Sequence, residues 1–210
     1  MKRVLIACEY SGTVRDAFSR RGWDAWSCDL LPTESELTRQ EGKHIQGDVT
    51  PLLKQGWDLL IGHPPCNFIS YAGMGAWNRP NRSFERLKAL EFFATLWEAP
   101  IPFIALENPK SCASPVIAKY SQEVQPYHFG EPHIKTTWLW LRNLPPLKPT
   151  NILPKPEPLS VDNTERKKKR YFTDSATRDP KDRAKFWMGI AEAMADQWTE
   201  YINSLETNKQ

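Results

Sequence analysis

The feature that most constrains this chain is a series of short, continuous apolar runs, each ending in a polar or turn residue. Arg3 to Cys8 runs into Glu9, Asp24 to Cys28 into Asp29, Trp57 to Ile61 into Gly62-His63, and the run 101–107 (IPFIALE) ends on its own glutamate. Runs of four to eight apolar residues bounded by turn signals fit strands buried on both faces, and such strands belong to parallel sheets covered by helices. Helical spacing fills the intervals. Gly12 to Arg21 places Val14, Ala17 and Phe18 on one face with Gly22 as a stop, and about Ser83 to Trp97 aligns Leu87, Leu90, Ala94 and Trp97. The segment 44–49 (HIQGDV) predicts a brief further strand, and 136–141 (TTWLWL) another. The alternation predicts a Rossmann-like, doubly wound, mostly parallel sheet.

The 210 residues suit a single domain, and no run approaches the roughly 20 apolar residues of a membrane span. The opening MKRVLIACEYSG superficially suggests a signal peptide, but its apolar run stops at Glu9 and reads as the first core strand. Four cysteines (Cys8, Cys28, Cys66, Cys112) lie far apart with no CxxC pair, which argues against a zinc site or disulfide framework and for a reducing cytoplasm. The net charge of +3 is too small to demand a nucleic-acid partner. Six of the sixteen residues 143–158 are proline, so this stretch predicts an extended connector leading into the basic run 166–172 (RKKKRYF). Beyond it, Asp179-Pro180 offers a helix start, and Trp187, Ile190, Ala191, Met194 and Trp198 form one stripe.

In open parallel sheets ligands sit beyond the carboxyl ends of the strands. Here those ends carry Cys8-Glu9-Tyr10-Ser11-Gly12, Asp29-Leu30, Asp48-Val49, His63-Pro64-Pro65-Cys66 and Glu107-Asn108-Pro109, and their convergence on one rim marks a candidate site. Asp29 and Asp48 are either acceptors for a ligand's ribose and base or simple turn aspartates. The loop from Ala7 to Gly12 lacks GxGxxG and so suits a cofactor without phosphates better than a dinucleotide. Pro64 and Pro65 fix the backbone beyond a buried strand and set the direction of Cys66, which at the rim can ionise and attack, whereas a core thiol is inert filler. Glu107 closes the neighbouring hydrophobic strand, either as a partly desolvated acid or as a buried structural carboxylate.

These residues together resemble the cytosine carbon-5 DNA methyltransferases. GHPPCNFIS (62–70) is similar to that family's Pro-Cys loop, including Ser70. Glu107-Asn108 is similar to its Glu-Asn-Val triplet with Pro109 in place of valine, and 185–198 (KFWMGIAEAMADQW) resembles its closing motif. The resemblance implies a class I fold, S-adenosylmethionine as cofactor, and a flipped-out cytosine in DNA as substrate. It implies Cys66 as nucleophile at carbon 6, Glu107 as donor to ring nitrogen 3, and Asn108 as the brace of the Pro-Cys loop. Cofactor contacts fall on Cys8, Glu9, Ser11, Gly12, Asp29, Leu30, Asp48, Val49 and Pro64. Substrate contacts fall on Pro65, Ser70, Arg79, Arg82, Lys135, Lys168 and Arg170. A cysteine where amino-group methyltransferases carry Pro-Pro-Tyr or Pro-Pro-Phe points to carbon rather than nitrogen as the methyl acceptor.

The chain departs from the family pattern in three places. The glycine-rich first motif is reduced to Ser11-Gly12. The arginine pair near Gln125 is absent, with Lys135 the nearest base. Residues 143–170 stand where a large target-recognition domain is usual, which suggests a compact, phage-like member. The basic residues Arg79, Arg82, Arg86 and 166–170 contact phosphates or form a solvated charge run. Tyr71, Met74 and Trp77 stack on a flipped base or pack their own loop. Two other readings keep part of the resemblance: the same chemistry on a free or single-stranded pyrimidine nucleotide, and a cofactor- and DNA-binding protein without catalysis.

Overall fold

The structure is a computed structural model that describes residues 1–161, 169–171 and 186–207. In chain order the elements are β1 (Arg3–Ala7), α1 (Thr13–Ser19), β2 (Asp24–Asp29), α2 (Glu36–Glu41), β3 (His44–Gln46), β4 (Leu59–Gly62), α3 (Arg82–Trp97), β5 (Phe103–Asn108), α4 (Ala113–Val116), β6 (Gln122–Val124), β7 (Thr137–Arg142), β8 (Ser160–Val161), β9 (Lys169–Arg170) and α5 (Met188–Thr207). Seven strands form one sheet in the order β3-β2-β1-β4-β5-β7-β6. The first five of these are parallel to one another, and β7 runs antiparallel to both β5 and β6. The result is a Rossmann-like, doubly wound, mostly parallel sheet.

The apolar runs explain the two cores. Successive strand side chains point to opposite faces, so Val4 and Ile6 join Phe18, Ile190, Met194 and Trp198 beneath α1 and α5. Leu5 and Leu60 instead join Phe93, Leu96, Leu106 and Trp140 beneath α3. Both faces are covered, so no polar alternation survives in β1 or β4. The C-terminal helix lies against α1, with Trp23 Nε1 donating to Thr199 Oγ1 at 2.8 Å. Its first turn carries Gly189, where a Cβ would lie 1.9 Å from the Phe129 carbonyl oxygen, so only glycine admits this approach.

Several boundaries differ from the sequence reading. β5 starts at Phe103 because Pro102 has no N–H for the ladder. β3 stops at Gln46, and Gly47-Asp48 turn away as Asp48 Oδ1 accepts from Thr50 N at 2.9 Å. On α3 the buried residues are Phe93 and Leu96, whereas Leu87 is 65% exposed; the helix is apolar on more than one side, and the sheet selects a different stripe from the predicted one. α2 and β6 were not predicted. α2 has clear stops in Ser35, whose Oγ accepts from Thr38 N at 3.0 Å, and in Gly42. Residues 143–158 are extended, while β8 and β9 pair as a two-stranded ribbon at the end of the connector. Trp187 precedes α5, and the helix start proposed at Asp179-Pro180 lies outside the described residues.

Candidate functional site

The carboxyl ends of β1, β2, β4 and β5 open on one rim of the sheet. Gly62 of β4 pairs with Leu106 of β5, which sets the His63-Pro64-Pro65-Cys66 loop beside Glu107 and Asn108. Two backbone hydrogen bonds join the two segments. Tyr71 N donates to Lys110 O at 2.9 Å and Cys112 N to Ile69 O at 2.9 Å, which makes Ser70 and Ser111 an antiparallel bridge. Asn108 Nδ2 donates to the Pro64 carbonyl at 2.8 Å in the interior, clamping the proline pair from below. The Cys66 carbonyl accepts from Ser70 N at 2.9 Å, closing a single turn after the cysteine. Pro64 is buried and Pro65 exposed, and Cys66 between rim and solvent is partly exposed, unlike Cys28 and Cys112. Ser70 is buried, and its Oγ accepts from Ala72 N at 3.2 Å, capping the 3-10 turn Tyr71–Ala76.

His63 is the residue that the sequence reading passed over. Its Nδ1 lies 3.4 Å from Glu107 Oε2, with both side chains largely withdrawn from solvent. Its Nε2 is buried with no hydrogen-bond partner among the described residues, and its ring lies 4.7 Å from that of Phe186. His63, Phe186, Cys8, Glu9, Tyr10 and Ser11 line a narrow cleft of about 20 Å³, room for about one water molecule. The only hint in sequence was the position of His63 directly before a proline pair. Its meaning depends on Glu107, far away along the chain.

The β1 loop is strained and acidic. Cys8 sits at φ 59° and Gly12 at φ 75°, and a Cβ on Gly12 would meet Ser35 Cβ at 2.3 Å. Buried Glu9 turns inward: its carboxylate accepts from Val14 N at 2.7 Å and Arg15 N at 3.1 Å, capping α1. Burial pushes the Glu9 carboxyl up from the usual carboxylate range, against the opposing pull of His63 and these two N–H groups. Thus both Glu9 oxygens are engaged by the helix, a role that the sequence reading did not foresee. Ser11 Oγ donates to Glu9 Oε1 at 3.3 Å. Burial, then the nearby charge of Asp29, pushes the Cys8 thiol up to about 12.

Asp29 and Asp48 each commit one oxygen to a local turn, Asp29 Oδ1 accepting from Leu31 N at 2.9 Å and Asp48 Oδ1 from Thr50 N at 2.9 Å. Between them Leu30 is 74% exposed, whereas Val49 is buried. The bland turn reading and the ligand reading are therefore compatible, since a carboxylate has acceptor capacity beyond one bond.

The basic residues divide. Arg79 is exposed. The Arg82 guanidinium stacks over Phe68, two residues after Cys66, at 4.8 Å, and that of Arg86 over Trp77 at 4.6 Å. Met74 and Tyr71 are exposed on the same loop, while Trp77 is half-buried and packed. Lys135 lies just before β7, on the rim shared with Asn108, which pairs with Trp138. Arg170 belongs to β9, and Lys168 lies outside the described residues. Among the described residues no group of His, Cys, Asp and Glu is placed to hold a metal ion, and no helix is long and apolar enough to cross a membrane.

No family model and no curated protein matches the chain. Among solved structures, the chain is similar to a prophage-encoded E. coli protein described as a candidate DNA modification methyltransferase, with 17% identity, TM-score 0.48, and coverage of 73% of this chain and 52% of that one. It is also similar to the Entamoeba histolytica methyltransferase EhMeth (15% identity, TM-score 0.47, coverage 78% and 61%). A third is an rRNA methylase from Escherichia coli (18% identity, TM-score 0.39, coverage 67% and 56%). The chain therefore spans less than two thirds of the length of each of these structures.

Proposed function

We propose that the chain is an S-adenosylmethionine-dependent methyltransferase acting on carbon 5 of cytosine in DNA. One observation carries the reading. Cys66 is presented, partly exposed, at the end of β4 by a proline pair that Asn108 holds from within at 2.8 Å, while Glu107 of the adjoining strand meets His63 at its side.

The residues of the rim fit the cofactor. The β1 loop is uncharged apart from Glu9 and offers no basic group for a phosphate. Asp29 and Asp48 supply acceptors for ribose hydroxyls and an amino group, exposed Leu30 supplies an apolar face for a purine ring, and Ser11 lines the cleft together with His63. When bound, the cofactor supplies an electrophilic methyl group. The protein must make carbon 5 nucleophilic, and Cys66 does so by adding to carbon 6. Glu107 donates to ring nitrogen 3, which stabilises the electron-rich ring as it forms. His63 Nδ1 faces Glu107 Oε2 and is positioned to return a proton to it. Once carbon 5 has taken the methyl, solvent water removes the carbon-5 proton, the C5–H electrons re-form the ring double bond, and the C6–S bond breaks to release the Cys66 thiolate.

Labelled-methyl transfer to duplex DNA, single-stranded DNA and free dCMP tests this directly. Transfer to DNA is the expected result, and transfer to dCMP alone would move the substrate to the free nucleotide. An oligonucleotide bearing 5-fluorocytosine should trap the enzyme covalently, with trapping lost in Cys66→Ala and kept in Cys112→Ala. Cofactor binding without transfer to any substrate would leave a non-catalytic binding protein.

A further inference from the structure

A second cavity, of about 370 Å³, opens at the far edge of the same rim, with Gln125, Tyr127, His128, Thr136, Lys155 and Tyr171 in its wall. β6 ends at Val124, which pairs with Thr137, the first residue of β7. Asn108 at the carboxyl end of β5 pairs with Trp138 one step along. The end of β6 that leads into Gln125 is thus two strand spacings, about 10 Å, from the Glu107-Asn108 edge.

The proline-rich connector builds this cavity. Gly130 N donates to Asn151 O at 2.8 Å, Asn151 N to His128 O at 3.2 Å, and Leu153 N to Tyr127 O at 2.8 Å. These bonds lay the connector along 127–130 and carry Lys155 to the wall, while the β8–β9 ribbon delivers Tyr171. The segment standing in place of a recognition domain therefore wraps a pocket beside the proposed active site.

Its chemistry matches a nucleobase. Gln125 Nε2 donates to Thr136 Oγ1 at 2.8 Å, while Gln125 Oε1 is buried with no hydrogen-bond partner among the described residues. Such an acceptor costs stability unless something donates to it, and the exocyclic amino group of a base does so; glutamine is a common partner of adenine. The rings of Tyr127 and His128, packed edge to face at 4.4 Å, offer a surface on which a base can stack. The exposed Lys155 ammonium suits a phosphate. The Glu123 carboxylate also borders the cavity, but it is occupied by Trp138 Nε1 at 3.1 Å and by Lys110 at 3.3 Å. At about 370 Å³ the space is in the range of small-ligand sites.

We propose that this cavity receives an unstacked base flanking the target cytosine on the same strand and so gives the chain its sequence preference. The inference rests on the cytosine-methyltransferase reading. Its test uses binding alone: fluorescence anisotropy of a short labelled single strand with one cytosine, without a methyl donor. An abasic residue is placed in turn at each position flanking the cytosine.

One flanking abasic site should weaken binding by about tenfold, the scale of one lost base stack. Gln125→Ala and Tyr127→Ala should reduce that difference to within about twofold, and Cys66→Ala should preserve it. Lys155→Ala, on an exposed side chain, should fold normally and weaken all strands alike, with a shallower salt dependence. Equal binding of intact and abasic strands, or discrimination unchanged in folded Gln125→Ala, overturns the proposal. Discrimination without any methyl transfer would sink the enzymatic reading alone. Methyl transfer to dCMP with no oligonucleotide binding would sink this proposal and move the substrate to the free nucleotide, with the transfer chemistry intact.

Discussion

Selective alkylation of Cys66 is the sharpest consequence of the site. Burial, then the charge of Asp29, pushes the Cys8 thiol up to about 12 and the Cys28 thiol up to about 11, and burial raises Cys112 as well. At about pH 8 an ordinary free thiol, near 8.5, is roughly one quarter ionised. Cys8 would be ionised in roughly one molecule in ten thousand and Cys28 in roughly one in a thousand. More basic thiolates are better nucleophiles, with a Brønsted slope of about 0.4–0.5, which returns roughly fortyfold to Cys8 and roughly tenfold to Cys28. The net suppression is about fiftyfold for Cys8 and about twentyfold for Cys28 relative to a free thiol, before any steric shielding. Peptide mapping after brief iodoacetamide treatment of the folded protein should therefore find the label on Cys66, with all four cysteines modified only after unfolding. Cys8 or Cys28 labelled as fast as Cys66 would refute the reasoning, as would a Cys66 that stays unmodified until the chain unfolds.

Two further outcomes follow from the same region. The folded state holds the Glu9 proton more tightly than the unfolded chain does, so this group favours the fold most in acid, and its contribution falls as pH rises above the ordinary carboxylate range. Urea midpoints measured across pH should show a flatter profile for Glu9→Gln than for wild type, and an unchanged slope would contradict the assignment. Asn108→Ala leaves the buried Pro64 carbonyl without its donor and should cost about 1–3 kcal/mol in chemical denaturation, with slower 5-fluorocytosine trapping. Wild-type stability in that variant would show that the clamp is dispensable.

Much of the sheet was legible because its strands are covered on both sides. β1 after Arg3 and all of β4 carry no polar side chain, a pattern that solvent-facing segments cannot sustain, and their polar endings marked the rim. β6 was illegible for the opposite reason: Gln122-Glu123-Val124 has one buried residue, and pairing with β7 rather than composition makes it a strand. The α3 face was misphased because Phe92, Phe93, Leu96 and Trp97 offer competing stripes, and only the sheet beneath chooses among them. At the site, Cys66, Glu107 and Asn108 stood out through their proline-framed neighbours. Glu9 and His63 did not, since a helix cap and an imidazole–carboxylate contact exist only after β1, β4 and β5 are side by side.

The ties between residues 69–71 and 110–112 give the rim a mechanical property of its own. The stretch after the thiol and the stretch after the carboxylate are riveted together by main chain, so neither can drift without dragging the other. Any shift of this lip should therefore leave the separation of Cys66 and Glu107 nearly constant.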